Sequence, residues 1–302
     1  MRIRLDLHGG RLMQRVADVA AGRTAPAKPR DAATVMVLRP EREGSGLSAP
    51  EGSAGSPERE LAPQAGAGIE VLMLRRTAAM RFAPGAYVFP GGSVDDADAD
   101  PGIAWHGPDP AEIGARLGAS PELARALVCA AVRETFEESG VLLASEPGGP
   151  LPVPSGSSWE ADRNALTAGS LTLAELLSRH GLAVRADLLV PWARWITPEA
   201  EPRRFDACFF AAALPAGQHA AGHQAEADQT AWLRPANAIE AAKTGSISLL
   251  PPTAAILHEF ASSGGLDDIL GQRRKIAAVL PVLAAEDSEV WLQLPDELAY
   301  PL

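Results

Sequence analysis

The segment SPELARALVCAAVRETFEESG, residues 120–140, carries signals for both ends of one helix. Ser120 is typical of an N-cap, and Pro121 is typical of the first helical position, where a missing N–H costs nothing. Gly140 suits the left-handed backbone that commonly follows a last turn. Apolar residues at helical spacing form one stripe, made of Leu123, Leu127 and Ala131. We therefore predict a helix with one face packed on a core.

The C-terminal half of this helix carries three carboxylates on one face. Glu134 lies three and four positions before Glu137 and Glu138, which makes it their neighbour on the helix surface. Each like-charge pair costs roughly 0.2–0.5 kcal/mol, and the partial negative charge of the helix C-terminus increases the repulsion. A solvated acidic face would carry this cost for no gain, whereas a cation among the carboxylates removes it. We predict that these three residues bind a metal ion.

Apolar, β-branched runs alternate with helical patterns along the chain. The runs AATVMVLRP, from Ala32, and IEVLMLRR, from Ile69, are typical of buried strands. LLVPWARWITP and RRFDACFFAAAL predict two further strands, and LTLAELLSRHG, RPANAIEAAKTG and PTAAILHEFASSGG predict helices. Strands and helices interleaved in this way predict one α/β domain with a mixed sheet.

Stretches rich in Gly, Pro, Ser and Ala interrupt this pattern and divide the chain. Residues 40–68 and 96–119 lack periodicity, so we predict two flexible insertions there. The α/β domain is expected over 32–260, after an N-terminal tail over 1–31. A helical extension is expected over 261–302.

The acidic composition excludes some classes of partner. With 27 basic and 38 acidic residues, the net charge of −11 argues against binding nucleic acid or an anionic membrane. No apolar run is long enough for a membrane span, and the N-terminal residues lack the apolar core of a secretory signal. Cys129 and Cys208 are far apart and predict two free thiols. We expect a cytoplasmic protein that acts on a small molecule, and the composition leaves a homodimer open.

The acidic helix ends in RETFEESGV, which resembles the second half of the Nudix box, G-x5-E-x7-R-E-U-x-E-E-x-G-U, with U a bulky aliphatic residue. FPGG resembles the start of the box, and Thr135 replaces one U. Forty residues lie between Gly92 and Arg133, against 13 in the family, so the box resembles one interrupted by 27 extra residues. Counting eight residues back from Arg133 places Arg125 where the family has its first Glu.

A second motif resembles one branch of that family, the peroxisomal-type coenzyme A diphosphatases of animals and their bacterial relatives. The branch has L-L-T-x-R-[SA]-x3-R-x3-G-x3-F-P-G-G, and this chain has LMLRRTAAMRFAPGAYVFPGG. Arg76, Arg81 and Gly85 fall at the matching positions. Leu74 stands where the branch has Thr, and Thr77 where it has Ser or Ala.

The resemblance implies a Nudix-type α/β/α sandwich and metal-dependent hydrolysis of a diphosphate. It implies Mg²⁺ or Mn²⁺ as the cofactor, and oxygen donors such as those of Glu134, Glu137 and Glu138 suit these hard ions. The substrate implied is coenzyme A or acyl-coenzyme A, cut to 3′,5′-ADP and (acyl-)4′-phosphopantetheine. A metal ion would let an acidic protein hold an anionic substrate.

The resemblance also implies roles for individual residues. Arg133 pairs with the box carboxylates and braces them, and Glu134 acts with it in catalysis. The family often draws a further acid from a loop before a Trp, and here Glu226, with Asp228 as a rival, precedes Trp232. The residues expected to contact substrate are Arg76, Arg81, Gly91 and Gly92.

Two alternatives stay open on the sequence. Leu74 and Thr77 depart from the coenzyme A motif and favour another nucleoside diphosphate derivative, such as ADP-ribose or a dinucleotide. Arg125, in place of the box's first Glu, favours a Nudix-fold binding module without catalysis. The three retained carboxylates favour an enzyme, because their repulsion destabilises the helix unless an ion is bound.

Overall fold

The computed structural model describes residues 1–5, 10–41, 68–77, 83–222, 227–286 and 289–302. Most of the insertion predicted over 40–68 lies outside the described residues. The same is true of Arg81 and Glu226, so their roles stay predictions.

Strands and helices alternate through the described ranges. The strands are β1 (Arg2–Leu5), β2 (Arg30–Pro40), β3 (Ile69–Arg76), β4 (Ala86–Val88), β5 (Gly91–Ser93), β6 (Trp105–His106), β7 (Ala144–Ser145), β8 (Ala183–Arg185), β9 (Val190–Ile196), β10 (Phe205–Ala213), β11 (Ala227–Leu233), β12 (Ser248–Leu249), β13 (Ala278–Val279), β14 (Val282–Glu286) and β15 (Glu289–Gln293). The α-helices are α1 (Gly10–Ala20), α2 (Pro110–Leu117), α3 (Pro121–Ser139), α4 (Ser157–Thr167), α5 (Leu173–His180), α6 (Pro235–Lys243), α7 (Pro251–Ala261) and α8 (Leu266–Gly271).

The central sheet is mixed, as predicted. Its strands run in the order β12-β4-β3-β2-β10-β9-β13, with β11 also paired to β3 and β5 also paired to β2. β10 is parallel to β2, whereas β3 and β5 are antiparallel to it. β2 and β3 are mostly apolar along their length, which suits strands that are covered on both faces. Two smaller sheets have the orders β1-β15-β14 and β6-β8-β7.

Successive residues of β2 enter two different cores. Ala33, Val35 and Val37 pack in a cluster with residues of α2, α3 and α5, whereas Met36 and Leu38 pack with residues of α1, α6 and α7. Because neighbouring side chains of a strand point to opposite faces, the helices lie on both sides of the sheet. The predicted α/β/α sandwich is confirmed.

Helix α3 has the ends that its sequence predicts. The Ser120 hydroxyl accepts a hydrogen bond from the backbone N–H of Leu123 at 3.2 Å, and Pro121 is the first helical residue. Gly140 has a φ of 72°, a left-handed conformation, and its N–H donates to the carbonyl of Phe136 at 2.8 Å. These caps fix where the acidic last turns of α3 lie.

The prediction of an irregular insertion over 96–119 is wrong. This range contains a 3-10 helix at Asp96–Ala99, strand β6 and helix α2. The Asp109 carboxylate caps α2 by accepting from the N–H of Ala111 at 2.8 Å, and Gly118, with a φ of 66°, ends it. The Asp, Pro and Gly that suggested a loop are the end signals of a short helix.

The prediction of a helical extension over 261–302 is also wrong for most of its length. Helix α8 is short, and strands β13, β14 and β15 follow it. β15 lies between β14 and β1, so the N-terminal segment and the C-terminal segment form one small sheet. Leu283, Val290 and Leu292 are its buried residues, and such long-range strand pairing leaves little local signal. The domain boundaries at 31 and 260 stay a prediction.

Cys129 and Cys208 are free, as predicted, and the structure buries both. Burial raises the pKa of each thiol to about 12, so both stay protonated at neutral pH. Cys129 lies on α3 and Cys208 on β10, and both behave as small apolar side chains in the core cluster between them. Separately, the described helices include none with the length and apolarity needed to cross a bilayer.

We predict that Phe210→Ala destabilises the fold by about 3–5 kcal/mol, because Phe210 of β10 is fully buried in the core cluster beneath α3. The measurement is the urea-unfolding free energy. Phe205→Ala, at the partly exposed start of the same strand, is the matched control and should cost less than about half as much. Equal losses would contradict the position of this core.

Candidate active site

The acidic end of α3 packs against the glycine bend that forms β5. β5 pairs with Ala32–Thr34 of β2, and this pairing fixes the position of the bend. The backbone N–H of Gly91 donates to Glu138 Oε2 at 2.8 Å. A Cβ on Gly92 would lie 2.4 Å from Glu134 Oε1, so only glycine allows this close approach. The bend therefore places the backbone directly beside two of the predicted carboxylates.

Arg133 joins the carboxylates of two separate segments. Its Nη1 donates to Glu134 Oε1 at 2.9 Å and to Glu137 Oε1 at 3.0 Å. Its Nε and Nη2 bind the two carboxylate oxygens of Asp98, each at 2.9 Å, and Nη2 also donates to the carbonyl of Ser93 at 2.8 Å. Every nitrogen of the Arg133 guanidinium thus donates a hydrogen bond, as the predicted bracing role requires.

This arginine is a buried, fully charged group. Only 8% of the Arg133 side chain and 1% of the Asp98 side chain are exposed. Burial acts to lower the pKa of Arg133, but the hydrogen bond to Asp98 and the charges of Glu134 and Glu137 outweigh it and raise the pKa. The two parallel hydrogen bonds between Arg133 and Asp98 also fix the orientation of the guanidinium, which a single hydrogen bond would not do.

The residues at this site fit a divalent cation by their donor type. Glu134, Glu137 and Glu138 supply carboxylate oxygens, the donors that hard ions such as Mg²⁺ prefer. Because Gly92 has no Cβ, the Glu134 carboxylate can lie directly against its backbone. Across the described ranges, no three His, Cys, Asp or Glu side chains are arranged as a ready-made metal cage. Glu134 and Glu137 instead share Arg133, and Glu138 binds the backbone of Gly91.

Arg76 and Asp228, two further residues singled out in the sequence, lie where the end of β3 pairs with the start of β11. Arg76 lines a groove of about 700 Å³ together with Arg75, Tyr87 and Asp228. Arg75 Nε donates to Asp228 Oδ1 at 2.6 Å, and this hydrogen bond lowers the pKa of the Asp228 carboxyl. The described residues that line the groove include none of the α3 carboxylates. The structure thus brings Arg76 and Asp228 together but does not place them in one cavity with the acidic cluster.

Comparisons with known proteins agree with this geometry. Residues 111–259 match the family model described as the NUDT19 Nudix domain. The chain is 30% identical to acyl-coenzyme A diphosphatase NUDT19 of Homo sapiens, over 91% of this chain and 82% of the human protein. It is 29% identical to the protein of the same name from Gallus gallus, over 87% of this chain and 81% of that protein. The chain belongs to the Nudix hydrolase family.

A solved Nudix structure confirms the fold. The Nudix hydrolase from Alicyclobacillus acidocaldarius superposes with a TM-score of 0.62 and is 26% identical. The match covers 82% of this chain and 98% of the bacterial protein. Nudix hydrolases as a family use divalent metal ions, which is consistent with the donor set on α3.

The structure corrects the position of the first acid in the Nudix box. Arg125 is not at that place: its Nη2 donates to the carbonyls of Pro101 and Ile103, and its guanidinium lies over the ring of Trp105. Asp98 holds Arg133 instead.

Counting forward from the glycine bend would have found this acid. Five residues separate Gly92 from Asp98, the spacing of G-x5-E with Asp in place of Glu. The extra residues therefore lie between Asp98 and Arg133, and the remaining departures from the box are this shorter acid and Thr135. The observation that favoured a non-catalytic module is thereby removed.

We predict that Asp98→Asn lowers the free energy of unfolding by about 3 kcal/mol, because it leaves the buried Arg133 cation without its bidentate partner. Asp95→Asn is the matched control, since the Asp95 side chain is 66% exposed and lies 3.8 Å from Arg133. Its effect should stay below about 0.5 kcal/mol. Denaturant unfolding of both variants makes the comparison, and two equally small losses would show that Asp98 does not anchor Arg133.

Proposed function

We propose that this chain hydrolyses the diphosphate bond of coenzyme A or acyl-coenzyme A, giving 3′,5′-ADP and (acyl-)4′-phosphopantetheine. The observation that carries the proposal is the similarity over 91% of the chain to a relative named acyl-coenzyme A diphosphatase. The Nudix box around Arg133, which retains Glu134, Glu137 and Glu138, supports catalysis over passive binding. The substrate is a small anionic molecule. A chain of net charge −11 needs local positive charge at its site to bind such a molecule.

The metal in this proposal is Mg²⁺ or Mn²⁺, with Glu134, Glu137 and Glu138 as its protein ligands. When bound, such an ion neutralises phosphate charge and lowers the pKa of a coordinated water. Arg133 holds Glu134 and Glu137 on one side of the helix, so their oxygens are oriented before any ligand arrives. In this proposal Glu134 is also a catalytic residue. Its carboxylate lies beside the backbone of Gly92.

The contacts of Asp228 bear on the choice of general base. Asp228 is held by Arg75, and the lowered pKa of its carboxyl makes it a weaker proton acceptor. This favours Glu226, which the sequence places two residues before Asp228. We assign proton abstraction from water to Glu226.

The arginines of the coenzyme A motif bind the anionic groups of the substrate in this proposal. Arg76 lines the groove at the end of β3, and Arg81 follows in sequence. A guanidinium binds phosphate in a two-pronged geometry, so these residues suit the 3′-phosphate or the diphosphate. Gly91 and Gly92 let the substrate approach the backbone next to the carboxylates.

The departure at Leu74 does not weigh against coenzyme A. Leu74 is buried in β3 and pairs with Val88 of β4, so it fills the core instead of contacting a ligand. Thr77 remains the departure that keeps ADP-ribose or a dinucleotide as the competing substrate class.

We expect the purified protein to convert coenzyme A and acyl-coenzyme A to 3′,5′-ADP in the presence of Mg²⁺ or Mn²⁺. The assay follows the products by mass spectrometry, with ADP-ribose and a dinucleoside polyphosphate as competing substrates. Good turnover of ADP-ribose beside no turnover of coenzyme A would overturn the substrate assignment while leaving the Nudix chemistry intact.

We expect Mn²⁺ to raise the thermal midpoint of the protein, because an ion at 100 times its Kd stabilises the folded state by about 2.7 kcal/mol. Glu138→Gln should abolish both this shift and the hydrolysis of coenzyme A. Glu122→Gln is the matched control, since Glu122 is an exposed residue in the first turn of the same helix. Retained activity in Glu138→Gln would show that α3 does not carry the metal site.

A further inference from the structure

Helix α4 places an arginine against the last turn of α3. Arg163 Nε donates to the backbone carbonyl of Glu137 at 2.8 Å, and its Nη2 donates to the carbonyl of Ala221 at 2.9 Å. Ala221 in turn donates its N–H to the carbonyl of Ser139 at 2.8 Å. One guanidinium thus joins the end of α3 to the loop that follows β10.

The end of a helix is where such a contact has most effect. The last four carbonyls of an α-helix have no partner within the helix and carry partial negative charge. Arg163 supplies a donor and a positive charge at that place. Gly140 makes room for it, because a Cβ there would lie 3.2 Å from Arg163 Nη1. Gly140 therefore both adopts the left-handed turn that ends α3 and leaves room for the Arg163 side chain.

Glu137 is held by hydrogen bonds at both its side chain and its backbone. Its carboxylate accepts from Arg133, and its backbone carbonyl accepts from Arg163. Burial lowers the pKa of Arg163, while the charges of Glu160, Glu137 and Glu138 oppose that effect. The charge of Arg163 thus acts on the same carboxylates as the proposed ion.

Helix α4, which carries Arg163, is held in place by contacts of its own before any ligand binds. Trp159, one turn earlier on α4, packs edge-on against Phe136 of α3, with ring centroids 6.0 Å apart. Asp162 is buried and accepts from Arg179 and from His180 Nε2, the latter at 2.8 Å. These contacts hold α4 against α3 and α5.

We propose that Arg163 is a positioning residue for the metal-binding carboxylates of α3. By holding the carbonyl of Glu137, it fixes the turn on which Glu137 and Glu138 stand, and so sets how tightly the site takes a divalent ion. The inference rests on the proposed metal site. It assigns a function to a residue outside the Nudix box and about 25 residues after it.

The test measures metal binding by the whole protein without substrate. Mn²⁺ is titrated into wild type, Arg163→Gln and Arg163→Lys, and free Mn²⁺ is measured by electron paramagnetic resonance. Hydrogen exchange of the amides of residues 137–141 is measured on the metal-free proteins. All measurements are made at the same interval below each variant's own thermal midpoint, so that a loss of stability is not counted as a loss of binding.

We expect Arg163→Gln to need about tenfold more Mn²⁺ for half-saturation and to exchange the last-turn amides faster. Arg163→Lys should fall between it and wild type, because an ammonium keeps the charge but cannot span two carbonyls. Leu166→Ala is the control for a packing defect: Leu166 is buried on the same helix, and its apolar side chain has no donor for the Glu137 carbonyl. It should lower the thermal midpoint and leave Mn²⁺ half-saturation within about twofold.

The outcomes separate this inference from the proposed function. If wild type does not bind Mn²⁺, or if Glu138→Gln binds it as wild type does, the metal site itself is wrong. If wild type binds and Arg163→Gln binds equally well, Arg163 is structural only. Tighter binding by Arg163→Gln would mean that the arginine acts by repelling the ion, and would equally overturn the positioning role.

Discussion

The rest of the site depends on the buried guanidinium of Arg133. It is shared by Asp98, which follows β5, and by Glu134 and Glu137 of α3. Removing one partner of a buried ion pair typically costs about 3–5 kcal/mol, so these two segments are held at a fixed distance. That distance brings the glycine bend against the helix, and a Cβ on Gly92 would displace the Glu134 carboxylate from its place beside the bend.

The same interaction explains why the acidic turn suits a metal ion. Arg133 forms salt bridges with the carboxylates of Asp98, Glu134 and Glu137, so three anionic groups share one guanidinium. A divalent ion would add positive charge at a site whose oxygens are already oriented. It would also link an acidic protein to an anionic diphosphate. Arg163 extends this arrangement by holding the backbone beneath Glu137.

Local signals in the sequence were enough to predict four strands of the central sheet, β2, β3, β9 and β10, together with helix α3 and the acidic cluster. Caps such as Ser120 and Gly140 act within a few residues, so they can be read without the fold. Three features were not predicted. Asp98 was missed because the box was counted only backward from Arg133, across the extra residues. Strands β14 and β15 pair with β1 at the other end of the chain, and Arg163 meets α3 only through tertiary packing.

The most direct test of the account is diffraction from crystals soaked in Mn²⁺, recorded at the manganese absorption edge. The account predicts an anomalous peak bounded by carboxylate oxygens of Glu134, Glu137 and Glu138, beside the backbone of Gly92. It would be contradicted by crystals with no peak there, in which Glu134 and Glu137 still bind Arg133 and Glu138 still binds Gly91.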